Sequence, residues 1–233
     1  MNKARLLASQ QRESGAWLSA LPSAGLGLRL DNNAIRIATG LRLGCALANP
    51  HICVCGAQVD ATAIHGLSCK RSAGRHSRHS EINSIIQHAM TSSHIPSVRE
   101  PVGMFRTDGK RPDGITIQPW RRGKCLVWDA TVVDTLATSH LMGTSQEAGA
   151  AAKKAANLKM EKYAAISNTH HFVPFAVETL GTFSPAARSL LADIALRKFQ
   201  CTGDLKEGLY LKQRISIAIQ RGNAACILGT APF

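Results

Sequence analysis

The chain has 233 residues, 45% of them hydrophobic, with 28 Lys and Arg against 15 Asp and Glu for a formal net charge of +13. That is enough chain for one full domain core and a small appendage, and so large a cationic excess points to a polyanionic partner, nucleic acid first, unless the protein is merely basic and soluble. No apolar run is long enough to span a bilayer, so no membrane partner is expected, and the opening MNKARLLASQQRESGAW carries no hydrophobic signal region, so an intracellular chain is expected. In that setting seven cysteines read as thiols or metal ligands, not as a disulfide scaffold.

Residues 1–20 are polar and basic and read as a loose lead-in, with an apolar patch beginning at Trp17. Asp31-Asn32-Asn33 is an N-cap for a helix over 34–43, in which Ile35, Ile37, Ala38 and Leu41 alternate with Arg36 and Arg42. Those arginines form a solvated face or touch phosphate. This segment, 1–44, leads into a second unit at 45–75. There Cys53, Cys55, His65 and Cys69 make a set of four soft ligands of the kind that hold structural Zn2+ in closed tetrahedral form. The single residue between Cys53 and Cys55 is shorter than the usual spacing, and reduced buried thiols are the other reading. His51 is a substitute ligand, while Cys45, Cys125, Cys201 and Cys226 read as small apolar core residues.

From Lys70 the chain turns basic, and Arg75, Arg78 and His79 are expected to hold nucleic-acid phosphates. A helix over 80–90 follows, capped by Ser80, with Ile82, Ile85, Ile86 and Ala89 on one stripe and Glu81 in its first turn, where an acid complements the helix dipole. Residues 100–134 then read as three extended segments, 102–105, 114–118 and 125–133, separated by turns. The turn at 107–109 takes in Asp108, and Lys110 and Arg111 join the expected nucleic-acid contacts. Asp113, between a proline and a glycine, is by itself a turn residue, but Asp129 interrupts an apolar β-branched run, where an unpartnered charge is costly. Adjacent strands would gather Glu100, Asp113 and Asp129 at one side of a sheet, the oxygen set that a hard divalent cation takes.

An alanine-rich helix is expected over 145–166, carrying Lys153, Lys154, Lys159 and Lys162, with the last two about one turn apart. A strand over 171–178 follows. Ser184-Pro185 then opens a helix over 186–199, and a last helix spans 209–228. The order is helix–strand–strand–strand–helix–strand–helix, an α/β core over 76–183 with closing helices at 184–233.

Arg111-Pro112-Asp113 followed by a strand carrying Asp129 resembles the PD-(D/E)XK nuclease pattern. More narrowly, residues 40–180 resemble the restriction-like endonuclease that follows the reverse transcriptase domain of certain non-LTR retrotransposons. There a zinc knuckle, an Arg-His pair (here Arg78-His79), the Pro-Asp turn, a second acid and a displaced lysine come in this order. The simple pattern wants a lysine where Thr131 stands; in the retroelement group it moves to the next helix in a K-x-x-K-Y context, which Lys159 to Tyr163 fits. The resemblance implies a restriction-endonuclease-like mixed sheet flanked by helices, behind a small zinc-knuckle module. It implies Mg2+- or Mn2+-dependent nicking of DNA, with Asp113 and Asp129 as metal ligands, Glu100 or Glu81 completing the shell, and Lys159 or Lys162 as the catalytic lysine. It further implies structural zinc at Cys53, Cys55, His65 and Cys69, the element's RNA and a reverse transcriptase domain in cis or trans as partners, and residence in the nucleus. The alternative is a catalytically inactive nucleic-acid-binding remnant of a reverse-transcriptase polyprotein.

Overall fold

The structure is a computed structural model and describes residues 1–104, 109 and 111–230. The expected Asp108 turn and the Lys110 contact lie outside the described residues. Two helical segments open the chain, α1 (Asn2–Gln10) and a 3-10 helix (Arg12–Ser19), followed by α2 (Asn32–Leu43). Asp31 caps α2 as expected, accepting from the Ala34 amide at 2.8 Å. A two-stranded antiparallel sheet, β1 (His51–Ile52) with β2 (Gln58–Val59), leads into the short α3 (His65–Ser68) and the long α4 (Ala73–Thr91).

The main sheet runs β3 (Ser97–Arg99), β4 (Gly114–Arg121), β5 (Lys124–Val133) and β6 (His171–Glu178), in that order across the sheet. The first two pairings are antiparallel and β5–β6 is parallel. A parallel pair needs a crossover, and here it comprises α5 (Thr138–Thr144), α6 (Ala150–Lys162) and α7 (Ala164–Thr169). Two helices close the chain order, α8 (Pro185–Thr202) and α9 (Glu207–Leu228). Ser184 caps α8, with Pro185 in its first turn. The fold is α/β, a four-stranded mixed sheet between helices.

The two faces of β5 explain its nearly continuous apolar run. Leu126, Trp128 and Ala130 point to one side and join Ile82 and Ile86 of α4, Leu190 and Ile194 of α8, and Ile215 and Ile219 of α9. Val127 points to the other side, where it meets Tyr163 and Phe172. Ala152 and Ala156 of α6 meet Ala176 of β6 there, small side chains that let helix and sheet approach closely. A second core gathers α1, Trp17, α2, the cysteine-bearing loops and the C-terminal half of α9 through Ile217, Ala224, Cys226 and Ile227.

Several expectations need correction. Residues 1–20 are not a loose lead-in, because Ala4, Ala8 and Trp17 are buried and arginines tie the segment down. The Arg5 guanidinium donates to the Leu41 carbonyl, and Arg42 donates to Ser9 and Ser14. Arg42 therefore serves the interior, neither solvated face nor phosphate. The first sheet strand lies at Ser97–Arg99 and not at 102–105: Val102 and Gly103 form a turn, with Val102 exposed, and Phe105 is outside the described residues. The expected single helix over 145–166 is divided between α6 and α7, beginning only after Gly149, whose φ of +85° starts it anew. Cys45 and Cys201 are exposed, and only Cys226 of the four non-cluster cysteines is buried.

Candidate functional site

Among the described residues stand two clusters of metal-ligating side chains. The first is built by the β1–β2 hairpin and α3. Cys53 and Cys55 lie in the hairpin turn, His65 opens α3 and Cys69 ends it, and their donor atoms all fall within 4.8 Å of one another. Cys53 Sγ and Cys69 Sγ are 3.8 Å apart, and Cys55 Sγ is 3.3 Å from His65 Nε2. Two thiolates each ~2.3 Å from a tetrahedral zinc would stand ~3.8 Å apart, so the donor set fits that ion. The Ala57 amide, first among several hydrogen-bonding partners, pulls the Cys55 thiol down to about 6, toward the thiolate that a metal requires, whereas burial pushes Cys53 up. The cluster can hold a zinc ion. His51 is no substitute ligand, being engaged by the Asn49 carbonyl and Thr230 Oγ1.

The second cluster is formed at the sheet. Asp113 immediately precedes β4 and Asp129 lies on β5; their carboxylates and His79 of α4 offer donor atoms within 4.8 Å of one another. His79 Nε2 is 3.0 Å from Asp113 Oδ2, the same oxygen that accepts from the Ala130 amide at 2.6 Å. Lys159 Nζ of α6 is 2.8 Å from Asp129 Oδ2, and the buried Tyr163 also hydrogen-bonds Asp129. Behind the cluster, Asn83 receives the Trp128 indole N–H at 3.0 Å and lies 3.4 Å from His79. Thus a polar chain runs from the core to the site.

The electrostatics separate the two acids. Burial pushes the Asp113 carboxyl up, but the His79 bond and charge, together with the Ala130 amide, outweigh it and leave the group below its ordinary value. Burial likewise raises Asp129; Lys159 opposes that and the Asp113 charge reinforces it, so Asp129 stays above its ordinary value. His79 is raised by its bond to Asp113, against the effect of burial. Two neighbouring carboxyls driven in opposite directions are what acid–base chemistry uses.

The acids open into a cavity of about 590 Å³ lined by Glu100, Arg111, Asp113, Asp129, Lys159 and Lys162. Comparison with protein-family models and with curated proteins found no match.

The residues expected from the sequence divide clearly. Asp113, Asp129 and Lys159 come together, and Lys162 lines the same cavity without a hydrogen-bond or ion-pair partner among the described residues. Glu100 reaches only the rim, exposed and paired with Arg111 at 2.5 Å; its own amide bonds the Asp113 carbonyl. Glu81 is not in a first helical turn, since α4 begins at Ala73, and it is exposed outside the cavity. Neither reading of Glu81 survives that placement. Arg78 cannot reach a phosphate: it is 2% exposed, donating to Asn223 Oδ1 and to the Leu67 carbonyl. Arg75 stays exposed, leans on the Ser68 and Cys69 carbonyls, and lines a neighbouring cleft with His76, His79 and Thr131. His79, expected as a nucleic-acid contact, lines that cleft and stands in the acid cluster as well. Tyr163 enters the sequence reading only as context for the displaced lysine and not as a site residue, although Lys159 and Tyr163 stand four apart on helical sequence and so share a face.

Proposed function

We propose that this chain is a metal-dependent nuclease of PD-(D/E)XK type, hydrolysing phosphodiester bonds in DNA, with a zinc-bound knuckle beside its catalytic core. The observation that carries this reading is the convergence of Asp113, Asp129 and Lys159, from three separate elements, on one open cavity. Asp113 and Asp129 would hold the divalent cation, and His79 fits as a third donor. An imidazole beside two carboxylates suits Mn2+ better than Mg2+. When bound, such an ion supplies Lewis acidity at a phosphoryl oxygen and lowers the pKa of water. Lys159 would then orient the attacking water or offset charge growing on the phosphate, while Tyr163 fixes the Asp129 carboxylate. Lys162 and Arg111 would neutralise the incoming backbone at the rim. The sequence resemblance to retrotransposon endonucleases adds a context: nicking of chromosomal DNA in the nucleus, beside a reverse transcriptase and the element's RNA.

A second reading draws on the ion pairs themselves. Asp113 is matched by His79 and Asp129 by Lys159, so the charges balance without an added cation. On that reading the chain binds nucleic acid but does not cut it. The deciding experiment is a nicking assay on supercoiled and branched DNA with Mg2+ or Mn2+, comparing wild type with Asp113→Ala and Asp129→Ala. Cleavage by the wild type alone supports the nuclease. Equal residual cleavage in all three would sink the site assignment, and salt-dependent binding without cleavage would favour the second reading.

A further inference from the structure

The β4–β5 hairpin ends in the two-residue turn Arg122-Gly123, between the paired Arg121 and Lys124. Both turn residues have positive φ, +48° for Arg122 and +74° for Gly123, a turn in which Asn-Gly is the easy choice. An arginine kept in the left-handed region is a local strain that invites a functional explanation. The tip overhangs a cleft of about 760 Å³ whose lining includes Arg121, Arg122, Lys124, His170, His171 and Phe172.

No carboxylate lines this cleft among the described residues. Arg121 is matched by Asp193 at 2.7 Å, but Arg122 has no hydrogen-bond or ion-pair partner there, and Lys124 Nζ bonds only the neutral Asn168 carbonyl at 2.8 Å. Burial lowers the His171 imidazole, and the charges of Arg121 and Lys124 lower it further, with partial opposition from Asp193. The site is therefore a concave surface with two uncompensated cations, which suits an anion.

We infer that this cleft is a second phosphodiester-binding site, holding the backbone of a nucleic-acid strand that also crosses the acid centre. The inference rests on the nucleic-acid substrate proposed above. The two clefts share a wall: Phe172 lines one and Tyr163 the other, with their rings 4.5 Å apart, and the successive residues Met160 and Lys159 of α6 face them respectively. Along β5, Lys124 and Asp129 are five positions apart, about 17 Å at ~3.3 Å per residue. At ~3.4 Å of helix axis per nucleotide in B-form DNA, that is about five nucleotides. The hairpin would thus grip the backbone roughly half a helical turn from the bond at the acid centre.

The test is fluorescence anisotropy without added divalent metal, over about 50 to 200 mM salt. Probes are one labelled sequence as DNA duplex and as single strand, bound by wild type, Arg122→Asn, Lys124→Gln and the double variant. Asn tolerates the left-handed turn, so the hairpin is retained. Arg214→Gln on α9, across the sheet, removes one charge elsewhere as a control. Each lost phosphate contact should reduce the log–log salt slope by about 0.9 on duplex or about 0.7 on a single strand, so the double variant loses about 1.8 or about 1.4 and identifies the form held. An unchanged slope in the double variant, an equal loss in Arg214→Gln, or no binding by wild type would each overturn the inference. Binding is read apart from cleavage. An inactive acid centre therefore still returns a slope, and retained nicking with an unchanged slope would refute the cleft alone.

Discussion

Gly114 follows Asp113 at the start of β4, and the Trp128 ring lies directly over it. A Cβ built there would stand 2.1, 2.2 and 2.6 Å from three atoms of the indole, against ordinary contacts of 3.4–4 Å. Trp128 has no room to retreat, being fully buried with its N–H fixed on Asn83. Gly114→Ala therefore forces apart β4 and β5 where they carry Asp113 and Asp129. Overpacking of this kind costs about 1–3 kcal/mol, and the rigid ring places this case near the upper end. At about 2–4 °C per kcal/mol for a chain of this size, the melting temperature should fall by roughly 6–12 °C. On the nuclease reading proposed above, nicking should fall further than stability, since about 1 Å of misplacement can cost about 100-fold in rate. Circular dichroism melts give the first quantity and the supercoiled-DNA assay the second. Trp128→Phe in the same chain shortens the ring and should recover more than about 1 kcal/mol of the coupled loss. A Gly114→Ala protein melting within about 1 °C of wild type would refute the reasoning.

Lys159→Met leaves the Asp129 carboxylate buried without its cation. The side chains are 20% and 9% exposed, so partial screening reduces the cost to about 2–3 kcal/mol, below that of a fully buried pair. In urea melts the Lys159→Met/Asp129→Asn double variant should recover most of the loss. Arg78→Ala strands Asn223 Oδ1 and opens a cavity, for a loss of about 2–4 kcal/mol, and should leave the salt dependence of DNA binding per folded molecule unchanged. Cys69→Ser should abolish stoichiometric zinc in native mass spectrometry and lower the melting temperature. Glu178 gives the pH prediction. Burial raises its carboxyl, although the Ala151 and Ala152 amides bond one of its oxygens. Between the unfolded value of about 4.3 and the raised folded value, the folded protein holds a proton that the unfolded chain has lost. Stability from this group therefore falls as pH rises through that window and is level above it. Glu178→Gln has no such proton, so its stability relative to wild type should improve as pH climbs from about 4 to 8.

Asp129 was legible because a single charge inside an apolar strand needs a partner, and the cysteine set because soft ligands cluster in sequence as they do in space. The helices capped by Asp31 and Ser184 were legible from local hydrogen-bonding chemistry. What the sequence concealed depended on long-range packing. Arg78 and His79 are neighbours on α4, yet one turns into α9 and the other toward Asp113; a basic run does not disclose that rotation. Ser80 seemed a cap because its residue type is common there, but α4 already had a turn and more behind it. The N-terminal helices are fixed by the guanidinium groups of Arg5 and Arg42, contacts no local pattern announces. Gly114 reads from the sequence only as the first residue of an extended segment, and the position of the Trp128 ring reveals why no larger residue fits.

Helix α9 supplies Ile215 and Ile219 to the core beneath the sheet and Ile217, Ala224 and Ile227 to the core beneath the cysteine loops. It follows in sequence every element it packs against. During synthesis, then, the hairpin bearing Cys53 and Cys55 and the segments bearing both aspartates leave the ribosome before the surface that seats them exists. Neither core is complete until this one helix docks. Deleting Glu207–Leu228 would leave two open cores.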